Sequence, residues 1–150
     1  MNKREARQIA LHMIFEIEFK KEEEWSEILQ LKFMPDEFLS ISKEEGLEFY
    51  AKECKKNAQK YIKTCVEGVM KNLEEIDAHI SELSKDWDIK RISKVSLAIL
   101  RLSIYELKYT SIPTGASINE AVDLAKDYDS EEAGGFVNGI LGTFERQNNG

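Results

Sequence analysis

The 150-residue chain contains only two cysteines and two prolines, and no long apolar run. On one helix Cys54 and Cys65 would lie about 16 Å apart, at roughly 1.5 Å per residue, which is too far for a disulfide. We therefore expect reduced cysteines, as is usual in the cytoplasm. No stretch approaches the roughly 20 apolar residues that cross a bilayer, and the charged N-terminus does not resemble a signal peptide. The sequence predicts a cytoplasmic protein with no membrane contact.

The motifs of common catalytic sites are also missing. His12 and His79 are the only histidines, and the chain has no pair of Glu-x-x-His motifs for a carboxylate-bridged metal site. It has no Gly-x-x-x-x-Gly-Lys loop, no Gly-x-Ser-x-Gly elbow and no Cys-x-x-Cys. His12 and Glu16 share a helix face, as ordinary solvated neighbours do. We expect that the protein is not an enzyme and that it has neither a cofactor nor a metal site.

The composition that is present favours helices. Leu, Lys, Glu, Ala and Ile are abundant, and only Pro35 and Pro113 interrupt them. Apolar residues make up 42% and charged residues 33% of the chain, a balance typical of one globular domain. The formal net charge of -7 argues against nonspecific binding along nucleic acid. Any nucleic-acid site must therefore be a local basic patch.

Apolar residues recur every three or four positions in several segments, which is the pattern of a helix with one buried face. The spacing predicts helices over residues 3–20 and 94–109. It also predicts a short amphipathic piece around Trp25 that ends before Pro35, because a proline disfavours helix in the residue before it.

From Leu47 to Leu83 the helical pattern is almost unbroken, and it is longer than a usual globular helix. We expect breaks or bends at the polar residues 55–57 and at Gly68. A single long coiled coil is the alternative, although the segment lacks a clean apolar heptad.

The last third of the chain carries signals for helix starts. Pro113 marks a turn, and Ser117 with Glu120 three residues later has the pattern of a capping box. Ser130 or Asp129 can cap the last helix. The sequence therefore predicts two helices after Pro113.

Arg101 lies in an otherwise apolar run, where a buried charge needs a partner. We predict that Arg101 pairs with Glu120 or Glu106 in the C-terminal half. Trp87 and Arg91, between the two halves, have the character of a packing pair at a hinge.

A basic cluster opens the chain. Lys3, Arg4 and Arg7 stand in the first turns of the first predicted helix, where basic side chains oppose the helix dipole. An external anion such as an RNA phosphate would compensate for this, and an ordinary charged tail is the alternative. Phe15, two turns further on, can stack an unpaired base, or it can belong to the core.

Several separated motifs occur in one order along the chain. They are Arg4-x-Ala6-Arg7-x-x-Ala10-x-x-x-Ile14-Phe15, Trp87 with Arg91-Ile92, the run from Ala98 to Leu107, the run from Ile118 to Lys126, and Phe136-Val137-Asn138-Gly139-Ile140-Leu141. In this order and spacing the chain resembles the NusB family of transcription antitermination factors. The likeness covers essentially the whole chain and is weak from about residue 22 to residue 60.

The resemblance implies an all-α, compact multi-helix bundle of two small helical subdomains, roughly 1–83 and 84–150, in a single RNA-binding domain. It implies binding of single-stranded boxA RNA of ribosomal RNA operons together with a small-subunit ribosomal protein in the NusE role. Such complexes help RNA polymerase read through termination signals. Some members self-associate, so a homodimer is possible. The alternative is a helical adaptor that binds only protein and makes no RNA contact.

The resemblance also implies the site residues. The family's RNA contacts fall here on Lys3, Arg4, Arg7, Phe15, Glu132 and Phe136. Two positions depart from the family pattern. Gly135 stands where relatives often carry Lys, which removes one phosphate contact, and Ser96 stands where an acidic residue is common, which alters part of a partner contact.

Overall fold

The computed structural model describes residues 3–20, 22–25, 56–84 and 91–149. Over these ranges it contains six α-helices, a short 3-10 turn at Glu22–Glu24 and no strand. The helices are α1 (Lys3–Ile17), α2 (Lys56–Lys71), α3 (Leu73–Leu83), α4 (Lys94–Tyr109), α5 (Thr114–Tyr128) and α6 (Glu131–Asn149). The all-α class expected from the sequence is confirmed.

The chain divides into two compact units, Met1–Glu67 and Gly68–Gly150. The subdivision into 1–83 and 84–150 stays a prediction. Three expectations lie outside the described residues: the state of Cys54, the packing of Trp87, and the amphipathic segment that ends before Pro35.

In the first unit, α1 buries the apolar stripe that its spacing predicts. Ala6, Ile9, Ala10, Met13 and Ile14 are each at most 5% exposed. The helix ends at Ile17, three residues before the expected end. Burial of this stripe stabilises the unit through the removal of apolar surface from water.

The start of α2 contributes the second buried face of the first unit. Ile62, Cys65 and Val66 are fully buried, with Cys65 as a thiol. Their spacing of three and four residues is that of a single helix face. The expectation of a buried, reduced cysteine is met at this position.

The second unit is organised around α4, which packs against α3, α5 and α6. Its bounds agree with the predicted range 94–109. The hydroxyl of Ser93 caps the helix by accepting from the backbone N–H of Ser96 at 3.1 Å. All residues from Ser96 to Glu106 are buried, so α4 is surrounded on every side, as its nearly continuous apolar sequence requires.

The long helical pattern breaks at Asn72, between α2 and α3, and the prediction of a break at Gly68 is wrong. Asn72 closes α2 by donating from its side-chain amide to the carbonyl of Gly68 at 2.8 Å. Gly68 lies inside α2, and a Cβ added there would lie 2.3 Å from an atom of the Tyr105 ring. The glycine therefore permits close packing against α4.

The predicted capping box at Ser117 and Glu120 is also wrong. Helix α5 begins at Thr114 with Pro113 as its N-cap, and the backbone N–H of Ser117 donates to the Pro113 carbonyl at 3.0 Å, so the first turn starts before Ser117. Ser117 is therefore buried inside α5, and its hydroxyl has no hydrogen-bond partner within the described part of the chain. The cap of α6 agrees with expectation: the Ser130 hydroxyl accepts from the N–H of Ala133 at 3.0 Å.

Candidate nucleic-acid interface

The basic cluster at the start of α1 is divided between the surface and the interior. Arg4 is half-buried, whereas Arg7 is only 4% exposed. Arg7 precedes Leu11 and Ile14 by four and seven residues, so helical geometry places it on their buried face. The side chain of Lys3 lies outside the described part of the structure. The RNA contact of all three residues stays a prediction, and for Arg7 the guanidinium is not at the surface.

Aromatic side chains continue the same helix beyond the basic cluster. Phe15 is half-buried, and its ring meets that of Phe19 edge to face, with the ring centroids 5.3 Å apart. Phe19 is 62% exposed. His12 and Glu16 form the expected i,i+4 pair, with 3.6 Å between Nε2 and Oε2. This end of α1 therefore offers a partly open aromatic surface at Phe15 and Phe19.

The other two predicted site residues meet in the second unit. Glu132 and Phe136 line one cavity of about 300 Å³ at the beginnings of α4 and α6. The other lining residues are Arg91, Ile92, Ser93, Ser96, Asp129, Ser130 and Ala133. The structure thus brings Glu132 and Phe136 together, and their contact with RNA stays a prediction.

The sequence did not identify Asp129 as part of this cavity. Its Oδ2 accepts hydrogen bonds from the hydroxyls of Ser93 at 2.5 Å and Ser96 at 2.8 Å. Hydroxyl groups that donate to an ionised carboxylate form strong bonds, so this network fixes the turn between α5 and α6 against the start of α4. Ser96, which departs from the family pattern, thereby holds a carboxylate that comes from another element.

Arg101 is paired as expected, although with a carboxylate that the sequence did not indicate. Its Nε and Nη2 donate to the two oxygens of Asp77 on α3, both at 2.8 Å. Burial opposes both charges: it raises the pKa of Asp77 to about 6 and lowers the pKa of Arg101 to about 10. The bidentate geometry of this pair joins α3 to α4.

A second polar cluster lies at the other end of α4. Glu75 accepts from the ammonium of Lys108 and, at 2.7 Å, from the hydroxyl of Tyr109. The hydrogen bond from Lys108 lowers the pKa of Glu75, and the same bond raises the pKa of Lys108. His79 Nε2 lies 3.2 Å from the ammonium, which can only donate, so this nitrogen is an acceptor. These contacts stabilise the α3–α4 pair. His79 belongs to this cluster and to no predicted site.

Two kinds of site are absent from the described ranges. Among these residues, no three His, Cys, Asp or Glu side chains stand close enough together to hold a metal ion. None of the described helices combines the length and apolar character that a membrane span needs.

These features define an all-helical protein with basic and aromatic residues on one helix of the first unit and a polar cavity in the second. The NusB family model matches residues 4–146. The chain therefore belongs to the NusB family of transcription antitermination factors, which are not enzymes.

Individual relatives agree with this assignment. The transcription antitermination protein NusB of Acetivibrio thermocellus is 43% identical over 143 residues, which are 95% of this chain and 87% of that protein. A NusB structure from T. maritima is similar with a TM-score of 0.73 and 28% identity, covering 97% of this chain and 92% of the other. A crystal structure of antitermination factors NusB and NusE in complex with dsRNA is similar with a TM-score of 0.70 and 26% identity, covering 97% of this chain and 96% of the other.

Proposed function

We propose that this protein binds boxA-type single-stranded RNA of ribosomal RNA operons together with a small-subunit ribosomal protein in the NusE role. Protein, partner and RNA would then join the antitermination complex of RNA polymerase in the cytoplasm. The observation that supports the RNA and partner parts of the proposal is the similarity to the crystal structure of NusB and NusE in complex with dsRNA, which extends over 97% of this chain. The single-stranded boxA element is what the family resemblance adds. The protein would act by positioning RNA and partner, without chemistry of its own.

The start of α1 is the proposed phosphate contact. Lys3 and Arg4 lie in its first turn, where the unsatisfied N–H groups and the positive end of the helix dipole also attract an anion. The body of the protein is acidic, with a formal net charge of -7, so phosphate is repelled elsewhere. This combination favours one local RNA contact.

The aromatic end of α1 is the proposed stacking surface. A base stacked on a protein ring contributes about 1–3 kcal/mol to binding in a way that tolerates different sequences. Phe15 is partly exposed, and the neighbouring Phe19 ring supports it from the side. The alternative, which the family resemblance suggests, is that the chain self-associates through this same aromatic surface.

Changing Lys3 and Arg4 together to Ala is expected to weaken boxA RNA binding by the partnered complex roughly tenfold at low salt. Each lost phosphate contact should also reduce the slope of log K against log salt by about 0.7 for single-stranded RNA. A salt titration measures both effects. Arg7 is left unchanged, because it is buried and its removal would disturb the core of the first unit.

Lys60→Ala is the matched control, since Lys60 is an exposed cation on α2 outside the proposed contact. It should leave the salt slope unchanged. If the Lys3 and Arg4 variant binds boxA RNA like the parent protein, the RNA site is assigned wrongly. If the parent complex binds the ribosomal protein but no RNA at all, the chain is a protein-binding adaptor.

Gly135→Lys is expected to strengthen RNA binding and to increase the salt slope by about 0.7, because it supplies one additional phosphate contact. The position is open: nothing lies within 4 Å of a Cβ added there. Gly135→Ala is the control, since it gains helix propensity without a charge. Equal RNA affinities for the two variants would show that position 135 does not face the RNA.

A further inference from the structure

A second cavity of the second unit lies at the other end of α4, away from Glu132 and Phe136. This C-terminal cavity measures about 220 Å³. Because α4 has 16 residues, the two cavities lie roughly 24 Å apart at about 1.5 Å per residue. The lining comes from the last turns of α4 and α6 and consists of Leu107, Lys108, Phe144, Glu145 and Asn148. A contact in this cavity is therefore separate from the proposed RNA contacts.

The charges around the C-terminal cavity are unbalanced. The ammonium of Lys108 is already bound by the carboxylate of Glu75 on α3. Glu145 is half-buried, and over the described ranges its carboxylate has neither a hydrogen-bond nor an ion-pair partner. The neighbouring cation, Arg146, donates to the hydroxyl of Thr143 at 3.1 Å and does not line the cavity. A partly buried carboxylate without a partner is costly, so Glu145 favours a cationic ligand.

The other polar groups at this end of α6 also accept hydrogen bonds. The side-chain amide of Asn148 donates to the carbonyl of Phe144 at 2.8 Å, which leaves Oδ1 of Asn148 as an acceptor. The last four carbonyl groups of a helix have no partner within it, and they form the negative end of the helix dipole. Helix α6 ends at Asn149, so these carbonyls belong to the turn that carries Asn148. The arrangement favours a cation with several hydrogen-bond donors.

A guanidinium group matches these acceptors better than an ammonium group does. It carries five N–H donors in one plane, binds a carboxylate through two parallel hydrogen bonds, and is more weakly hydrated than an ammonium. Its flat face can also pack on apolar atoms of Leu107 and Phe144. We propose that the C-terminal cavity binds an arginine side chain of a partner protein, with the guanidinium on Glu145 and Asn148.

The surface beside the cavity favours a protein as the source of this arginine. Tyr109 follows Lys108 in α4, is 41% exposed, and has its hydroxyl fixed by a hydrogen bond of 2.7 Å to Glu75. Exposed tyrosines of this kind are enriched in protein interfaces. Glu145 repels a phosphate at short range, which argues against RNA as the occupant. The inference therefore adds a second interaction surface to the proposed RNA-binding function.

The probe is a short glycine peptide with blocked ends and one central arginine, titrated into the full chain. Amide NMR signals of the last turns of α4 and α6 should shift and saturate, with a Kd on the order of 1 mM. Citrulline has the shape of arginine without its charge, so a citrulline peptide should bind roughly tenfold more weakly. A lysine peptide should also bind more weakly, because its ammonium cannot bind the carboxylate in a bidentate way.

Two variants should change the affinity for the arginine peptide in opposite directions. Glu145→Gln keeps the shape of the side chain and removes its charge, so the peptide should bind roughly tenfold more weakly. Asn148→Asp adds a carboxylate, so it should strengthen binding several-fold. A damaged fold would not produce this increase. Circular dichroism of both variants checks that the helices are retained.

Glu131→Gln is the matched control for the lost charge. Glu131 lies in the first turn of α6, at the end away from the C-terminal cavity, and its side chain is 86% exposed. The affinity for the arginine peptide should be the same in this variant as in the parent protein.

Equal binding of the arginine and citrulline peptides, or equal effects of Glu145→Gln and Glu131→Gln, would overturn the proposal. If the lysine peptide binds as tightly as the arginine peptide, the guanidinium assignment is wrong. If spermidine binds more tightly than the arginine peptide and displaces it, the cavity holds a free polyamine and the proposal is also wrong. The proposed binding of boxA RNA does not depend on any of these results.

Discussion

Asp77→Ala is expected to lower the free energy of unfolding by about 3 kcal/mol, because it breaks a buried ion pair and leaves its cation in the interior. The Arg101 side chain is only 7% exposed, and both of its short hydrogen bonds to Asp77 would be lost. Since Asp77 is 26% exposed, the effect should lie at the lower end of those measured for buried pairs. Urea denaturation of the variant and the parent protein measures it.

The double variant Asp77→Ala, Arg101→Met should recover part of the lost stability, because it removes the buried cation that Asp77→Ala leaves without its bidentate carboxylate. Glu67→Ala is the control: the Lys63–Glu67 pair is nearly half-exposed at both ends and 3.9 Å apart, so its loss should cost less than about 1 kcal/mol. If Asp77→Ala costs no more than Glu67→Ala, the buried pair does not hold α3 to α4 in solution.

Gly68→Ala is expected to destabilise the protein by about 2 kcal/mol through overpacking. The added methyl group would overlap the Tyr105 ring, whose atoms lie 2.3 to 2.6 Å from the position of its Cβ. Tyr105 is 8% exposed and packs against Tyr109, with 5.2 Å between ring centroids, so the ring has little room to move. Thermal unfolding followed by circular dichroism measures the change.

Gly139→Ala is the matched control, because this glycine is also inside a helix and nothing lies within 4 Å of an added Cβ. It should stabilise the protein by up to about 1 kcal/mol through the higher helix propensity of alanine. Opposite signs for the two substitutions would establish that Gly68 is required for close packing. Stabilisation by both would contradict the contact with Tyr105.

Helix positions followed from the sequence where an apolar pattern repeats without a competing signal. The predicted range of α4 agrees with the structure, and so does the buried stripe of α1. Helix ends were less predictable, because single polar contacts decide them. Asn72 ends α2 through its side-chain amide, and Pro113 starts α5 before the serine that resembled a cap.

The candidate site was predictable only in part. The resemblance assigned Glu132 and Phe136 as RNA contacts near the last helix, and the structure puts both in one cavity. The burial of Arg7 could have been read from its spacing to Leu11 and Ile14. The place of Asp129 in the site could not be read from the sequence, because its contact with Ser93 joins positions 36 residues apart through the folded chain. No periodicity within one helix reports such a contact.

The order in which the helices of the second unit pack has a consequence for how that unit folds. Helices α3 and α4, α4 and α5, and α5 and α6 are neighbours both along the chain and in space. The Asp77–Arg101 pair closes a loop of 24 residues. Contacts between nearby segments lose little chain entropy on closure, and proteins rich in them fold rapidly. Pairs of neighbouring helices can therefore form first in the second unit, and the remaining helices can then pack against α4.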